Sequence, residues 1–328
     1  MSAWGAFTSG LRALRRNWGL AVLVLVVNLT IAATLVVPLG MAVERDLRDT
    51  GSATNMLYGF DHDWWSRWSD RQAGSFLASF APDIFGQGFA LKNLELLLRG
   101  HLPMYLFAHG QEGASTPLDA TLLGLGLLYV LMQVFLSGGL LSVFKNPDGG
   151  WKLRSVLHGC GFYFGRLCRL MLLGLALYAA LFALNAPFAR WVDHQAYEAV
   201  AETTALAWIF ARHALLLSAL LAVFTLLSYA KAILVTEERH SALFAFLSAL
   251  GFCLRHPLRV AGQLLLVLIS GALLLWLWSA FDGAWTTTGW KTQIVTLAAM
   301  QTLMLGRIGL RLALLAGQMA LYRSSEPS

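Results

Sequence analysis

Charge is scarce in this chain. Lys and Arg number 24 and Asp and Glu 18 among 328 residues, 13% together. An ordinary soluble domain carries about 25%. The shortage is concentrated. No charged residue stands between Arg16 and Glu44, Asp119 and Lys145, Arg169 and Arg190, Arg212 and Lys231, Arg259 and Asp282, or Lys291 and Arg307. A helix crossing the hydrocarbon core needs about 20 apolar residues. The first, second, third and fifth stretches reach that alone. The fourth and sixth reach it with the apolar turns beyond Arg212 and Arg307. The pattern predicts an all-α, polytopic transmembrane helical bundle of six spans. One integral membrane domain then covers residues 1–328.

Other absences narrow the function. There are three cysteines, with no CxxC and no Cys/His cluster, so a thiolate zinc site is not expected. Cys160, Cys168 and Cys253 read as reduced, structural thiols. No GxSxG, Walker loop, dinucleotide fingerprint or HExxH occurs. These are the arrangements that would name a nucleophile, a phosphate cradle or a zinc site. No Asp or Glu falls inside a predicted span, which removes the usual pointer to an ion-coupled path. No catalytic and no cofactor-binding residue is assigned, no cofactor is expected, and an enzyme is the less favoured reading.

What charge there is has a direction. With the N-terminus placed in the cytoplasm, that side receives fifteen basic and four acidic residues, and the outer side nine and fourteen. Lys and Arg favour the cytoplasmic side of a membrane protein. The expectation is therefore a multi-pass protein of the bacterial inner membrane with both termini cytoplasmic. The net charge of +6 reflects this topology and attraction to anionic lipid. It is split among short loops, so nucleic acid is not an expected partner.

The segment 1–17 carries Trp4, Phe7, Leu11, Leu14 and Trp18 at helical spacing, with Arg12, Arg15 and Arg16 largely off that stripe. It reads as an interfacial amphipathic helix on the inner leaflet. The apolar run after it is too long for a signal h-region, so it reads as a retained first span, roughly 18–43. Residues 44–118 form an extracytoplasmic amphipathic loop. Phe76, Leu77 and Phe80 make one apolar stripe in it, and Leu91, Leu94, Leu97 and Leu98 another. Trp64, Trp65 and Trp68 fall within about one helical turn. Thr116 and Pro117 suit the start of span two, and Asn146–Gly150 suits its end. Spans three to six are expected near 170–187, 205–235, 258–281 and from 292 towards Tyr322, with Pro257 in the first turn of span five.

A short pattern recurs. GFYFGRLCRL, with Gly161, Phe162 and Arg169, precedes span three. GFCLRHPLRV, with Gly251, Phe252 and Arg259 at the same offsets, precedes span five. A threefold repeat of inner-leaflet helix, span out and span back would place both phenylalanines in equivalent, buried positions and turn the chain at each glycine. The polar residues within spans, Asn28, Gln133, Ser228, Gln263 and Ser270, read as interhelical hydrogen-bonding groups. Gly124, Gly126, Gly138 and Gly139 read as sites of close helix approach. Arg212, Arg307 and Arg311 read as arginines snorkelling to an interface. Asp61, His62 and Asp63 on the outer side are candidate metal ligands, as are His194 and Glu198 at i, i+4. Asp193 stands beside His194, and His101 and His109 follow Asp63 in the same loop. Zinc can be held by His and carboxylate, yet no signature fixes a geometry here.

The basic N-terminus before span one, Ser137–Gly138–Gly139, and SYAKAILVTEERHSALFAFLSALGFCLRHPLR from Ser228 to Arg259 carry a resemblance. The layout resembles a diffuse group of uncharacterised six-helix bacterial inner-membrane proteins. These are similar to the membrane domain of glycerophosphodiester phosphodiesterases. The soluble catalytic domain of those enzymes has no counterpart here, so the resemblance implies a fold and no catalytic residue. Three functions stand open. One is a non-enzymatic scaffold or accessory subunit contacting membrane lipids and partner proteins or a second copy of the chain. Another is a permease subunit of a transporter with a separate ATPase. The third is a lipid-active enzyme at the outer face.

Overall fold

A computed structural model of the protein describes residues 1–48, 52–55, 61–72, 77, 120–146, 150–284 and 290–325. Among the described residues the ordered elements are helices: α1 Ala3–Arg16, α2 Gly19–Arg48, α3 Ser52–Asn55, α4 His62–Arg71, α5 Ala120–Lys145, α6 Leu153–Glu198, α7 Glu202–Thr236, α8 Ala242–Arg255, α9 Pro257–Ala284 and α10 Trp290–Arg323. The all-α class is as expected. Six of them (α2, α5, α6, α7, α9 and α10) are long and apolar enough to cross a membrane. The protein is a multi-pass membrane protein. Residues 76, 80, 91–98 and 116–119, on which the loop stripes and the start of span two were placed, lie outside the described residues.

The chain forms two compact units. The first comprises residues 1–32, 131–173 and 224–328, the second 33–130 and 174–223. In the first unit α1 packs on α9 and α10. Its N-terminus is capped by Ser2, whose Oγ accepts from the Gly5 amide at 3.1 Å, satisfying an otherwise orphan donor. The Trp stripe is divided between a packed and an open side. Ala6, Phe7 and Gly10 are buried, whereas Trp4 and Leu11 are exposed. A Cβ on Gly10 would lie 2.0 Å from the Ala313 carbonyl oxygen, and one on Gly317 2.6 Å from that of Ala6. Each helix thus offers a small residue, three others, and a second small residue, and the two backbones touch. The small residues set the packed face, Phe7 joins it, and Trp4 and Leu11 stay exposed.

Polar groups inside this unit find one another. Gln133 Nε2 donates to Asn28 Oδ1 at 2.8 Å, Ser228 Oγ to Gln318 Oε1 at 2.6 Å, and Tyr229 OH to Gln263 Oε1 at 2.9 Å. Gln263 Nε2 donates onward to the Leu314 carbonyl at 3.3 Å. Arg311 does more than reach an interface, since its guanidinium donates to Gln133 Oε1 at 3.3 Å. Around these pairs sit Leu20, Leu141, Leu167, Leu234 and Met319, all fully or nearly buried.

The expected repeat fails at two points. The segment before span three is not a separate helix, for α6 runs unbroken through Gly161 for 46 residues, about 69 Å. Its counterpart is broken, with α8 ending at Arg255 and α9 starting at Pro257. Proline imposes that break by disfavouring helix at the residue before it, and 153–186 contains no proline. The phenylalanines differ too. Phe252 is 8% exposed and touches Tyr229 and Tyr322, whereas Phe162 is 49% exposed.

The second unit takes the far half of α2, which runs to Arg48 and so shortens the loop expected from residue 44. Trp64 and Trp68 of α4 are buried against Leu39 and pack with Ala42, Val43, Leu47 and Leu77. Trp64 Nε1 donates to Asp46 Oδ2 at 2.7 Å, and Arg71 pairs with Asp46 at 2.7 Å. The tryptophan cluster therefore closes on the end of a span.

Enlarging the α1–α10 contact should be costly. Gly10→Val and Gly317→Val are each expected to lower stability by about 1–3 kcal/mol, the usual cost of overpacking. Gly124→Ala, with nothing within 4 Å of its Cβ, should not. Thermal unfolding of the detergent-solubilised chain measures all three, and a Gly317→Val midpoint equal to wild type would contradict the packing.

Candidate functional site

Close helix approach also builds a cleft. Gly139 of α5 meets α6 where an added Cβ would lie 2.4 Å from the Val156 carbonyl oxygen, and one on Gly159 would lie 2.2 Å from Ser142 Oγ. Of the glycines expected at close contacts, Gly138 and Gly139 are used, while Gly124 and Gly126 face open space. Between the two helices Gly150 sits at φ 61°, a left-handed conformation that glycine adopts without penalty. The return brings Lys145, at the end of α5, opposite Ser155, His158 and Phe162, which share one face of α6 at helical spacing.

A third wall comes from the turn after α7. The Arg239 amide bonds the Leu234 carbonyl at 3.1 Å, the long return bond of a helix C-terminus with a left-handed residue inside it. That residue is Glu238, at φ 55°, where a glycine is usual and another residue costs on the order of 1 kcal/mol. Its partners hold it there. Lys145 Nζ lies 2.5 Å from Glu238 Oε1, and Arg166 Nη1 donates to the Glu238 carbonyl at 3.1 Å. Next to it Glu237 accepts from Arg239 and Tyr322, and Arg239 Nη1 donates to Ser248 Oγ at 2.8 Å. The turn is thereby tied to α5, α6, α8 and α10.

The resulting cleft has a volume of about 510 Å³ and is lined by Lys145, Arg154, Ser155, His158, Phe162 and Glu238, among others. Arg166 stands over the Phe162 ring at 4.8 Å, a cation–π contact. The His158 ring stacks near that of Phe162, with centroids 6.1 Å apart. Arg154 has no partner among the described residues. Lys145 and Arg166 thus hold Glu238, and Arg154 lines the same cleft. The hydrogen bond and charge interaction with Lys145 hold the Glu238 carboxyl below its ordinary value. Beyond the same turn lies a second depression of about 430 Å³, lined by Arg169, Leu173, His240, Ser241 and Leu243. In α8, burial pushes the Cys253 thiol up to about 11, so it is neutral at physiological pH, in keeping with a structural thiol.

The residues singled out as metal ligands fall on α4 and at the end of α6. Asp61 caps α4, accepting from the Trp64 amide at 2.9 Å, with His62 and Asp63 in the first turn. His194 Nδ1 lies 3.4 Å from Glu198 Oε2, both exposed. Among the described residues no three His, Cys, Asp or Glu side chains form a group fit for a metal. His101 and His109 lie outside them. Arg212, expected to snorkel, is 7% exposed and pairs with Asp193 at 2.6 Å. A buried guanidinium needs such a partner. The cleft itself was not foreseen. Lys145, Arg154 and Arg166 entered the sequence reading as topological charge only. A left-handed Glu and a basic helix start cannot be joined without knowing that α5, α6 and α7 meet.

No family model, no curated protein and no solved structure matches the chain.

The depressed Glu238 carboxyl contributes stability that is fully present above its unfolded-state value and is lost as pH falls through the lower folded-state value. Lys145→Gln should move the Glu238 titration back up towards that of an ordinary glutamate. Carbon-detected NMR of the labelled carboxyl in both proteins measures the two curves, and coincident curves would contradict the pairing.

Proposed function

We propose that the protein is a non-enzymatic membrane module of the bacterial inner membrane, with both termini cytoplasmic. Its role is that of a scaffold or accessory subunit whose short helices contact the lipid of the inner leaflet. The observation that carries this reading is α8. Its 14 residues span about 21 Å, short of the ~30 Å hydrocarbon core. Yet it is apolar on both faces. Ala242, Ala245, Ala249 and Phe252 are buried, while Leu243, Phe244, Leu247, Leu250 and Leu254 are exposed, Phe244 by 64% and Leu254 by 71%. Arg255 ends the helix and Arg259 follows in the first turn of α9. An exposed apolar face beside basic residues suits the boundary between acyl chains and anionic headgroups. Trp4 and Leu11, exposed on α1 near Arg12, Arg15 and Arg16, support the same placement. The proposed orientation rests on the excess of basic residues at this end. The resemblance to the membrane domain of glycerophosphodiester phosphodiesterases agrees with a non-catalytic module.

Two measurements test the proposal. In a cysteine-free background, Gly150→Cys should react with an impermeant maleimide only after the membrane is opened, and Asp70→Cys in intact cells. The reverse pattern would overturn the orientation. A photo-crosslinker at Phe244 or Leu254 should capture phospholipid in native membranes. Capture of a nucleotide-hydrolysing subunit instead would replace the scaffold reading with that of a permease subunit.

A further inference from the structure

We infer that the cleft between α5 and α6 binds a phosphate group, held by Arg154 and His158 and supplied by the headgroup of an anionic phospholipid. The inference deepens the lipid-contact reading and rests on it for the source of the phosphate alone. The cleft's chemistry stands apart from it.

Charge comes first. Lys145, Arg154 and Arg166 face or flank the cleft, against Glu238. Lys145 and Glu238 are already spent on each other at 2.5 Å, and Arg166 on the Phe162 ring and the Glu238 carbonyl. Arg154 remains without a partner among the described residues, at the mouth of a cleft. A guanidinium fork offers two parallel donors to a phosphate. His158, one helical turn on, and the Ser155 hydroxyl can donate to the remaining oxygens. Ser142 cannot, because its hydroxyl donates to the Gly139 carbonyl at 2.7 Å.

Size and rigidity come next. About 510 Å³ accommodates a glycerophosphate headgroup and falls within the range of small-ligand sites. The walls are fixed by backbone contact at Gly139 and Gly159 and by the pinned turn at Glu238. A left-handed glutamate kept in place by two cations is strain of the kind that gathers at binding sites. Phe162 points to lipid rather than to a solute, since it lines the cleft and is half exposed, giving an acyl chain an apolar edge beside the basic groups.

Calorimetric titration of the detergent-solubilised full chain at low salt tests the assignment, with dioctanoyl phosphatidylglycerol, dioctanoyl phosphatidylcholine and inorganic phosphate as probes. Phosphatidylglycerol should bind at least tenfold more tightly than phosphatidylcholine. The double variant Arg154→Gln/His158→Gln should weaken it tenfold or more at an unchanged melting temperature. Arg154→Lys, keeping the charge but losing the fork, should weaken it less. Glu238→Gln, removing the carboxylate, should strengthen it. Inorganic phosphate binding as tightly as the lipid, with the same sensitivity to the variants, supports the anion site and assigns its ligand to solution. The lipid contact of α8 is then decided by its own crosslinking. No binding of either anionic probe, or binding untouched by the double variant, overturns the inference.

Discussion

Backbone contact between α1 and α10 is the constraint on which the first unit depends. Ala6 and Gly10 face Ala313 and Gly317 with no room for a further methyl group. Apolar burial gives little net attraction between helices already surrounded by lipid, so dispersion at close range has to hold them. That contact fixes α1 against α9 and α10 and thereby directs the chain into α2. Asn17 caps the junction, with its backbone amide bonded to Ala13 and Leu14, and Trp151 covers Gly19 so closely that no Cβ would fit there.

The polar side chains follow the same economy of space. Gln263 reaches past Gly317 to the Leu314 carbonyl, which a larger residue at 317 would prevent. Gln318, one residue on, takes the Ser228 hydroxyl. Away from water an unpaired amide costs several kcal/mol, so these pairs favour one register of α7, α9 and α10 over its neighbours. Register in turn sets where α7 ends, and the turn that follows it supplies Glu238 to the cleft. The site is thus downstream of helix packing.

Much of the fold was legible in the sequence. Charge-free runs marked six spans, and Pro257 marked the start of α9 as the first-turn rule expects. Gly138 and Gly139 were rightly read as a close contact. The failures share a cause. Hydropathy marked the stripe of α1 but not its packed face, which Ala6 and Gly10 set by their small size. Equal spacing of glycine, phenylalanine and arginine suggested a repeat, but only one copy is followed by a helix-breaking proline. Arg212 lacked a visible partner because Asp193 is 19 residues away, across the turn between α6 and α7. The cleft was invisible for the same reason, being assembled from α5, α6 and the end of α7.

Protein packing against α9 and α10 is what holds α1 in place. Hydrogen exchange of the chain, in nanodiscs and again in detergent, tests it directly. Amides of Phe7–Arg16 should exchange as slowly as those of Leu312–Leu321, and removing the bilayer should leave this protection in place. Rapid exchange across α1, or protection present in nanodiscs and lost in detergent, would contradict it.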